Sequence, residues 1–389
     1  MPVLSALAGP NNLRQAEGCC LPPVQLQITS LPPIYLSATS VTSSSDFADG
    51  CTRLYADIGG TNARFALSRA PHELRHLRTI ACSSYPELGD AAQDYLRSAA
   101  EAGEKLPAYA AIAIATHVEG DSITMTNHHW SFSVNALRQK LGLQSLQIYN
   151  DFTALAMSLP QLQNDEKEAI GGGEAKADAP IALLGAGTGL GVSGLIPTPA
   201  GEWLPLNTEG GHVLFAPANA LEAEILHYCW QEFNHVSAER LLSGPGLERL
   251  HRSLAAIRGK SGNSDARSVS SRHNLNNDDS ISAPQIVEHA RNNSCPLCLE
   301  TTQIFSEMLG AFAANLALSL GSLGGVYLGG GVVQNMGHTF NRQRFRQQFK
   351  AKGRFSSYLA NIPVWLVTAR YPALKGVAAL LERSLRGST

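Results

Sequence analysis

Three times in this chain, an apolar stretch that is typical of a β-strand runs directly into a cluster of glycines. The clusters are Asp57–Asn62, Gly185–Gly191 and Gly329–Gly331. Glycine tolerates positive φ and carries no side chain, so that consecutive backbone N–H groups can converge on an anion. One such turn is most often only a tight hairpin. Three together, two of which contain threonine, predict a phosphate-binding site.

The common nucleotide-binding motifs do not explain these turns. The sequence contains no G-x-x-x-x-G-K-[ST], which excludes a P-loop protein. Gly189-x-Gly191-x-x-Gly194 matches the dinucleotide fingerprint, but strand-like residues and then Pro197 follow it. A Rossmann turn must open a helix, so this match is rejected. The remaining prediction is a phosphate held by turns of β-hairpins.

Strand-like and helix-like segments alternate along the chain, which predicts an α/β fold. A length of 389 residues favours two or more domains. The formal net charge of −2 gives no electrostatic signal for nucleic acid or an anionic membrane as a partner. No apolar run reaches the roughly 18 residues expected of a membrane span.

Two stretches of the chain have the composition of poorly ordered segments. Residues 1–50 are rich in proline and serine and predict a loosely ordered extension without a standard targeting signal. A polar stretch near 257–283 predicts a surface insertion. Seven cysteines, an odd number, favour a reducing compartment. Cys295 and Cys298 form a lone CxxC with only His289 close by as a further ligand, and we interpret these thiols as structural or incidental.

Asn150-Asp151 stands where an apolar strand appears to stop and a helix to begin. Asp is a favoured N-cap residue, because its carboxylate accepts hydrogen bonds from the first-turn N–H groups. The same donors would help to keep Asp151 ionised at neutral pH. The alternative role of Asp151 is that of a general base.

Seven segments, in order, resemble the bacterial-type glucokinase family of ATP:glucose 6-phosphotransferases. They are ADIGGTNARFAL, TNHHWSF, YNDFTALAMSLP, LLGAGTGLGVSGL, EGGHVLFAP, HVSAERLLSGPGL and LGGGVV. The resemblance runs from about Arg53 to the last helix. It implies the two-domain actin/hexokinase-like (ribonuclease H-like) fold, with ATP and sugar in the interdomain cleft. We place a small domain at 51–161 plus 369–389 and a large domain at 162–368.

The resemblance also implies roles for individual residues. Asp151 would be the catalytic base that accepts the proton of the sugar 6-hydroxyl, and Asp57 would hold Mg²⁺ through water. The sugar ligands would be Asn150, Asp151, Glu209, His212 and Glu239, with Asn127 and Trp130 shaping the pocket. The ATP-binding residues would be Asp57, Gly59, Gly60, Thr61, Asn62, Gly185, Gly187, Thr188, Gly189, Gly329, Gly330 and Gly331.

Two other functions remain open from the sequence. One is a kinase for another hexose or an amino sugar, since the glycine turns and Asp151 would serve any hexose. The other is a non-catalytic actin-like ATP-binding protein, which would not need the sugar-ligand set. The Cys-x-Cys-Gly-x-x-Gly-Cys signature of the related repressor/open-reading-frame/kinase group is absent from the sequence. Membership of the glucokinase family would further imply a homodimer and a cytoplasmic location, with a peroxisome-like glycosome as the alternative.

Overall fold

Two six-stranded sheets and their helices make up most of the structure, a computed structural model that describes residues 34–35, 47, 49–260 and 281–386. All of these residues belong to one unit, Pro32–Thr389. The predicted N-terminal extension lies almost entirely outside the described residues, as do residues 261–280 of the predicted insertion. The α/β class predicted from the sequence is confirmed.

The first sheet brings the first glycine turn and Asn150 to the same edge. Its strand order is β1-β4-β3-β2-β5-β8, and β2, β5 and β8 run parallel. Ile58, Ile114 and Asn150 lie side by side in register at the carboxyl ends of these three strands. The strands are β1 (Ile34–Tyr35), β2 (Thr52–Ile58), β3 (Asn62–Ser68), β4 (Glu73–Ala81), β5 (Pro107–Ile114) and β8 (Ser145–Asn150).

The second sheet joins the other two glycine turns. Its order is β12-β11-β10-β13-β14-β9. Strands β10 and β11 form a hairpin across the second turn, and β13 pairs parallel with β10 so that Gly185 faces Gly329. The strands are β9 (Lys167–Gly171), β10 (Ile181–Ala186), β11 (Leu190–Pro197), β12 (Trp203–Pro205), β13 (Val326–Gly329) and β14 (Val364–Val367); a separate hairpin pairs β6 (Ser122–Thr124) with β7 (Ser131–Ser133).

Helices pack on both sheets. The described helices are α1 (Leu88–Glu101), α2 (Val134–Lys140), α3 (Asp151–Ser158), α4 (Ala220–Cys229), α5 (Gly244–Lys260), α6 (Ala283–Arg291), α7 (Pro296–Leu320), α8 (Gly331–Met336), α9 (Arg342–Lys350), α10 (Ser356–Ala360) and α11 (Pro372–Arg386). Helix α5 continues to Lys260 and α6 begins at Ala283. Residues 257–260 and Ala283, at the two ends of the predicted insertion, are therefore helical.

Helix α7 is long and apolar, with 25 residues. It begins at Pro296, because the Cys295 Sγ accepts the Cys298 backbone N–H and proline suits the first helical turn. By length and composition alone α7 could cross a membrane, contrary to the expectation that no segment would reach that length. Core helices pass the same test, and 56% of its most apolar window is buried. It packs against α5, α6 and α9.

The helix that carries Asp151 is held by the C-terminal helix. Helices α3 and α11 cross so closely that a Cβ on Gly376 would lie 1.6 Å from the Ala154 carbonyl oxygen. Beside this crossing, the buried Lys375 ammonium binds both Glu166 carboxylate oxygens at 2.5 and 2.6 Å. The close approach at Gly376 holds α3 against α11, and the ion pair ties α11 to the segment that follows α3. The domain bounds given above stay a prediction.

Candidate active site

Asn150, rather than Asp151, caps helix α3. The Asn150 Oδ1 accepts the backbone N–H groups of Phe152 at 2.9 Å and Thr153 at 3.2 Å. Its Nδ2 donates to the Thr116 carbonyl oxygen at 3.2 Å. The interpretation of Asp151 as the N-cap is therefore wrong, because the preceding amide satisfies the helix end. The second N–H of the Asn150 side-chain amide is left to bind a ligand.

Asp151 is the first residue of α3, and its surroundings favour the protonated form. Burial, together with the negative charges of Asp57 and Glu209, raises the pKa of its carboxyl to about 7. The N–H of Phe152, 2.9 Å from Oδ1, lowers the pKa but does not offset the burial. The expectation that helix-end donors would help to keep Asp151 ionised at neutral pH is thus corrected, because the other causes raise the pKa to about 7. A carboxyl with a pKa near neutrality suits a group that takes up a proton.

Asp57 lies close enough to Asp151 for the two charges to interact. It leaves β2 opposite Arg64 on β3, and its Oδ2 accepts the Arg64 Nη1–H at 2.8 Å. Burial raises the pKa of Asp57, and Arg64 counteracts that rise. Two partly buried carboxylates that repel each other supply the hard oxygen donors that Mg²⁺ prefers. The donor chemistry here therefore fits that ion.

The second and third glycine turns form one continuous backbone surface. A Cβ on Gly330, which has φ +79°, would lie 2.3 Å from the Ala186 carbonyl oxygen, so only glycine fits there. The Gly187 N–H bonds to the Gly189 carbonyl at 2.8 Å and closes the turn. The Gly244 N–H donates to the Gly187 carbonyl at 2.8 Å, which fixes the start of α5 beside the turn.

Phe152 connects this surface to Asp151. A Cβ on Gly191 would lie 2.0 Å from the Phe152 ring, and one on Gly185 would lie 2.9 Å from it. The ring therefore fills the space left by two glycines on β10 and β11. Because Phe152 follows Asp151 directly, this contact holds the start of α3 against the hairpin that carries the second glycine turn.

The first turn belongs to the other sheet and is closed by its own backbone. The Gly59 N–H donates to the Asn62 carbonyl oxygen at 2.9 Å. A Cβ on Gly60 would lie 3.2 Å from the Asn127 Cβ, which places the predicted pocket residue Asn127 against this turn. Thr61 stands at its exposed tip.

Glu239 joins the predicted sugar ligands to the second turn. It lies in a 3₁₀ turn, Ala238–Arg240, and its Oε2 accepts the Leu190 N–H at 2.8 Å. A Cβ on Gly189 would lie 2.4 Å from the same oxygen. Glu239 therefore stands directly beside the proposed phosphate turn, where Thr188 is also found.

Glu209 and His212 share a second 3₁₀ turn, Gly210–His212, with Glu209 as its N-cap. Their side chains are 57% and 60% exposed and approach within 4.0 Å. The His117 Nδ1 lies 3.7 Å from the other Glu209 oxygen. Three groups able to exchange hydrogen bonds with sugar hydroxyls thus face solvent, and Glu209 is near enough to influence Asp151.

Trp130 does not take part in this arrangement. It is 1% exposed, and its indole N–H donates to the Tyr85 carbonyl at 3.1 Å. The suggestion that Trp130 shapes the sugar pocket is therefore not supported, and it is a core aromatic residue.

A family model described as Glucokinase matches residues 54–384, which is most of the chain. The chain belongs to the glucokinase family. The predicted resemblance is confirmed, and its span agrees with the matched segments. Membership of this family explains why three glycine turns and the polar residues Asn150, Glu209, His212 and Glu239 occur together with Asp151 in one chain.

Known relatives of this glucokinase-family chain agree with that assignment. A protein of Chromobacterium violaceum named Glucokinase is 47% identical over 88% of this chain and 92% of its own length. A crystal structure of a glucokinase from an Antarctic psychrotroph matches with a TM-score of 0.73 and 33% identity, over 85% of this chain and 99% of that one. The predicted actin/hexokinase-like fold is confirmed.

Some relatives are much longer. A protein of Burkholderia pseudomallei named Bifunctional protein glk is 46% identical over 90% of this chain, but the match covers 52% of that relative. The chain thus spans about half the length of several curated relatives that it matches.

The sequence interpretation missed two members of the site. Phe152 lies in the helix predicted after Asn150-Asp151, but its contacts with Gly185 and Gly191 join segments that are distant in the sequence. His117 follows β5, and the parallel register of β5 and β8 was the available signal that residues after β5 would lie near Asn150.

Proposed function

We propose that this chain is a glucokinase, which transfers the γ-phosphate of ATP to the 6-hydroxyl of D-glucose and yields glucose 6-phosphate and ADP. The observation that carries the proposal is the position of Asp151. Burial and the charges of Asp57 and Glu209 raise the pKa of its carboxyl to about 7. The next residue, Phe152, packs against Gly185 and Gly191 beside the second glycine turn. The names of the relatives support the same reaction.

The chemistry requires positioning, charge neutralisation and a proton acceptor. Asp151 would accept the 6-hydroxyl proton as that oxygen attacks the γ-phosphorus and the bond from phosphorus to the β-phosphate oxygen breaks. Glu209, His212 and Glu239 would bind the other hydroxyls, and Asn150 would offer its remaining N–H. Matched hydrogen bonds of this kind discriminate between sugars better than an apolar pocket does.

The phosphates of ATP would lie between the Gly59–Asn62 and Gly187–Gly189 turns, with Gly329–Gly331 behind the adenosine. When bound, Mg²⁺ would neutralise charge on the phosphates. Asp57 is the residue that would hold it, through water, since Arg64 already engages one carboxylate oxygen. Glu239 would connect the glucose site to the ATP site, because the carboxylate that binds a sugar hydroxyl also accepts the N–H of Leu190 at the second glycine turn.

The assembly and location of the protein remain proposals. We propose a homodimer, as the resemblance implies. We also propose the cytoplasm rather than a glycosome, because the relatives described above are bacterial.

A coupled assay of ADP release with and without sugar tests the function. We expect release to require D-glucose and Mg²⁺, and to be slower with amino sugars and other hexoses at equal concentration. Faster ADP release with an amino sugar than with D-glucose would support the alternative function, a kinase for another hexose or an amino sugar. ADP release that is equally fast without any sugar would contradict both and favour an actin-like ATPase.

A further inference from the structure

Three side chains of types that can bind a metal meet in the core, and none of them is assigned to the reaction. They are His251 on α5, Cys295 at the start of α7 and Cys298 in the first turn of α7. The structure buries all three, with side chains 6%, 3% and 0% exposed. The histidine that lies beside the CxxC motif is thus His251, 44 residues upstream of Cys295, rather than His289.

The distances between these side chains match those of a metal coordination sphere. The His251 Nε2 lies 3.7 Å from the Cys298 Sγ, and the three ligand atoms lie within 4.8 Å of one another. In a tetrahedral zinc site with bonds of about 2.0–2.3 Å, neighbouring ligand atoms are separated by about 3.5–3.8 Å. The ligands therefore need to move very little to bind an ion.

The backbone at the start of α7 also favours thiolates. The Cys298 N–H points at the Cys295 Sγ at 3.4 Å, which is a donor directed at the sulfur from the first turn of the helix. Proline at position 296 fixes the turn between the two cysteines. The local fold thus holds both sulfurs on one side, toward His251.

We propose that His251, Cys295 and Cys298 bind one soft metal ion, with Zn²⁺ as the expected occupant. Binding releases the two thiol protons to solvent, and the two thiolates then balance the charge of Zn²⁺. The imidazole binds as a neutral ligand through Nε2. No fourth His, Cys, Asp or Glu joins the group among residues 49–260 and 281–386, so one coordination position is left to a small ligand.

A bound ion would join α5 to α7 and so support the site indirectly. Helix α5 begins at Gly244, whose N–H holds the Gly187 carbonyl of the second glycine turn. His251 lies two turns further along the same helix. The ion would therefore anchor the helix on which that turn rests, and it would raise stability without touching either substrate.

The burial of the cysteines argues against a redox function for the same group. Redox-active cysteines are accessible to a partner thiol or oxidant. Cys298 has no exposed surface, and its sulfur faces the imidazole. A metal ion can instead enter during folding.

The test is metal binding by the tag-free full-length protein, purified with reductant and stripped with a chelator. We expect one Zn²⁺ per chain in a competition titration against a chromophoric chelator, or one Cu⁺ in a parallel titration. Co²⁺ should give thiolate-to-cobalt charge-transfer absorption. Zn²⁺ should also raise the Tm of the stripped protein.

Variants connect this binding to the cluster. Cys298→Ser and His251→Ala should each weaken Zn²⁺ binding at least about 100-fold and abolish the Zn²⁺-dependent rise in Tm. Cys229→Ser, at another buried cysteine on α4, should bind as the wild type does. If neither ion binds to the wild type, or if Cys298→Ser binds as tightly as Cys229→Ser, the proposal is overturned. A Cys295–Cys298 disulfide that re-forms under reductant and blocks binding would overturn it too.

Discussion

Replacement of Asp151 by Asn is expected to lower kcat for glucose phosphorylation by about 10²–10⁴-fold, which is the usual contribution of a general base. The amide has the same shape but cannot accept the proton of the 6-hydroxyl. Helix α3 should survive, because Asn150 provides the cap. The Kd for glucose should change only slightly. Steady-state kinetics and calorimetric titration with glucose measure the two effects separately.

The pH dependence separates loss of the base from loss of the fold. Wild-type kcat/KM should fall about tenfold per pH unit below pH 7, where Asp151 becomes protonated, and the residual activity of the variant should lack that dependence. Because folding raises the pKa of Asp151 from 3.8, its ionisation opposes folding increasingly from about pH 4 to pH 7. Asp151→Asn should therefore be at least as stable as wild type at pH 8. If Asp151→Asn turned over glucose at nearly the wild-type rate, Asp151 would not be the general base.

Gly376→Ala is expected to lower the free energy of unfolding by about 3 kcal/mol or more. The new Cβ would lie 1.6 Å from the Ala154 carbonyl oxygen and 2.5 Å from its carbon. Both are backbone atoms, so α3 and α11 must move apart, and overpacking of this kind is costly. Since α3 begins with Asp151, kcat should fall as well. Urea unfolding followed by circular dichroism gives the change in stability.

Gly259→Ala is the matched control for this substitution. Gly259 is an exposed residue of α5, and a Cβ there meets no atom within 4 Å. The free energy of unfolding should change by less than about 1 kcal/mol, in the stabilising direction, because alanine favours the helix more than glycine does. Equal urea midpoints for the two variants would show that the α3–α11 crossing tolerates a side chain.

Features that depend on local sequence could be predicted for this chain. A strand that ends in glycines can be recognised from the sequence as the start of a tight turn. Gly330 is an example, because only glycine adopts the conformation that this position needs beside Ala186. The strand that ends at Asn150 and the helix that follows could also be predicted, because an apolar run stops there at two polar residues that favour a helix start. The family resemblance then supplied the relation between segments far apart in the chain.

Features that depend on distant contacts could not be predicted. The pKa of Asp151 depends on burial and on Asp57, which belongs to another strand. The choice of Asn150 as the cap depends on Thr116, whose carbonyl anchors the amide. The partner of the CxxC motif, His251, is on another helix. Each of these outcomes is set by packing rather than by local propensity.

The most direct measurement is the identity of the product made from ATP and D-glucose. After turnover with ¹³C-labelled glucose, carbon NMR should show coupling to phosphorus at carbon 6, in an amount equal to the ADP released. Wild type should give this product, and Asp151→Asn should give at most a trace in the same time. Release of ADP with inorganic phosphate and unmodified glucose, or a phosphate on another carbon, would contradict the account.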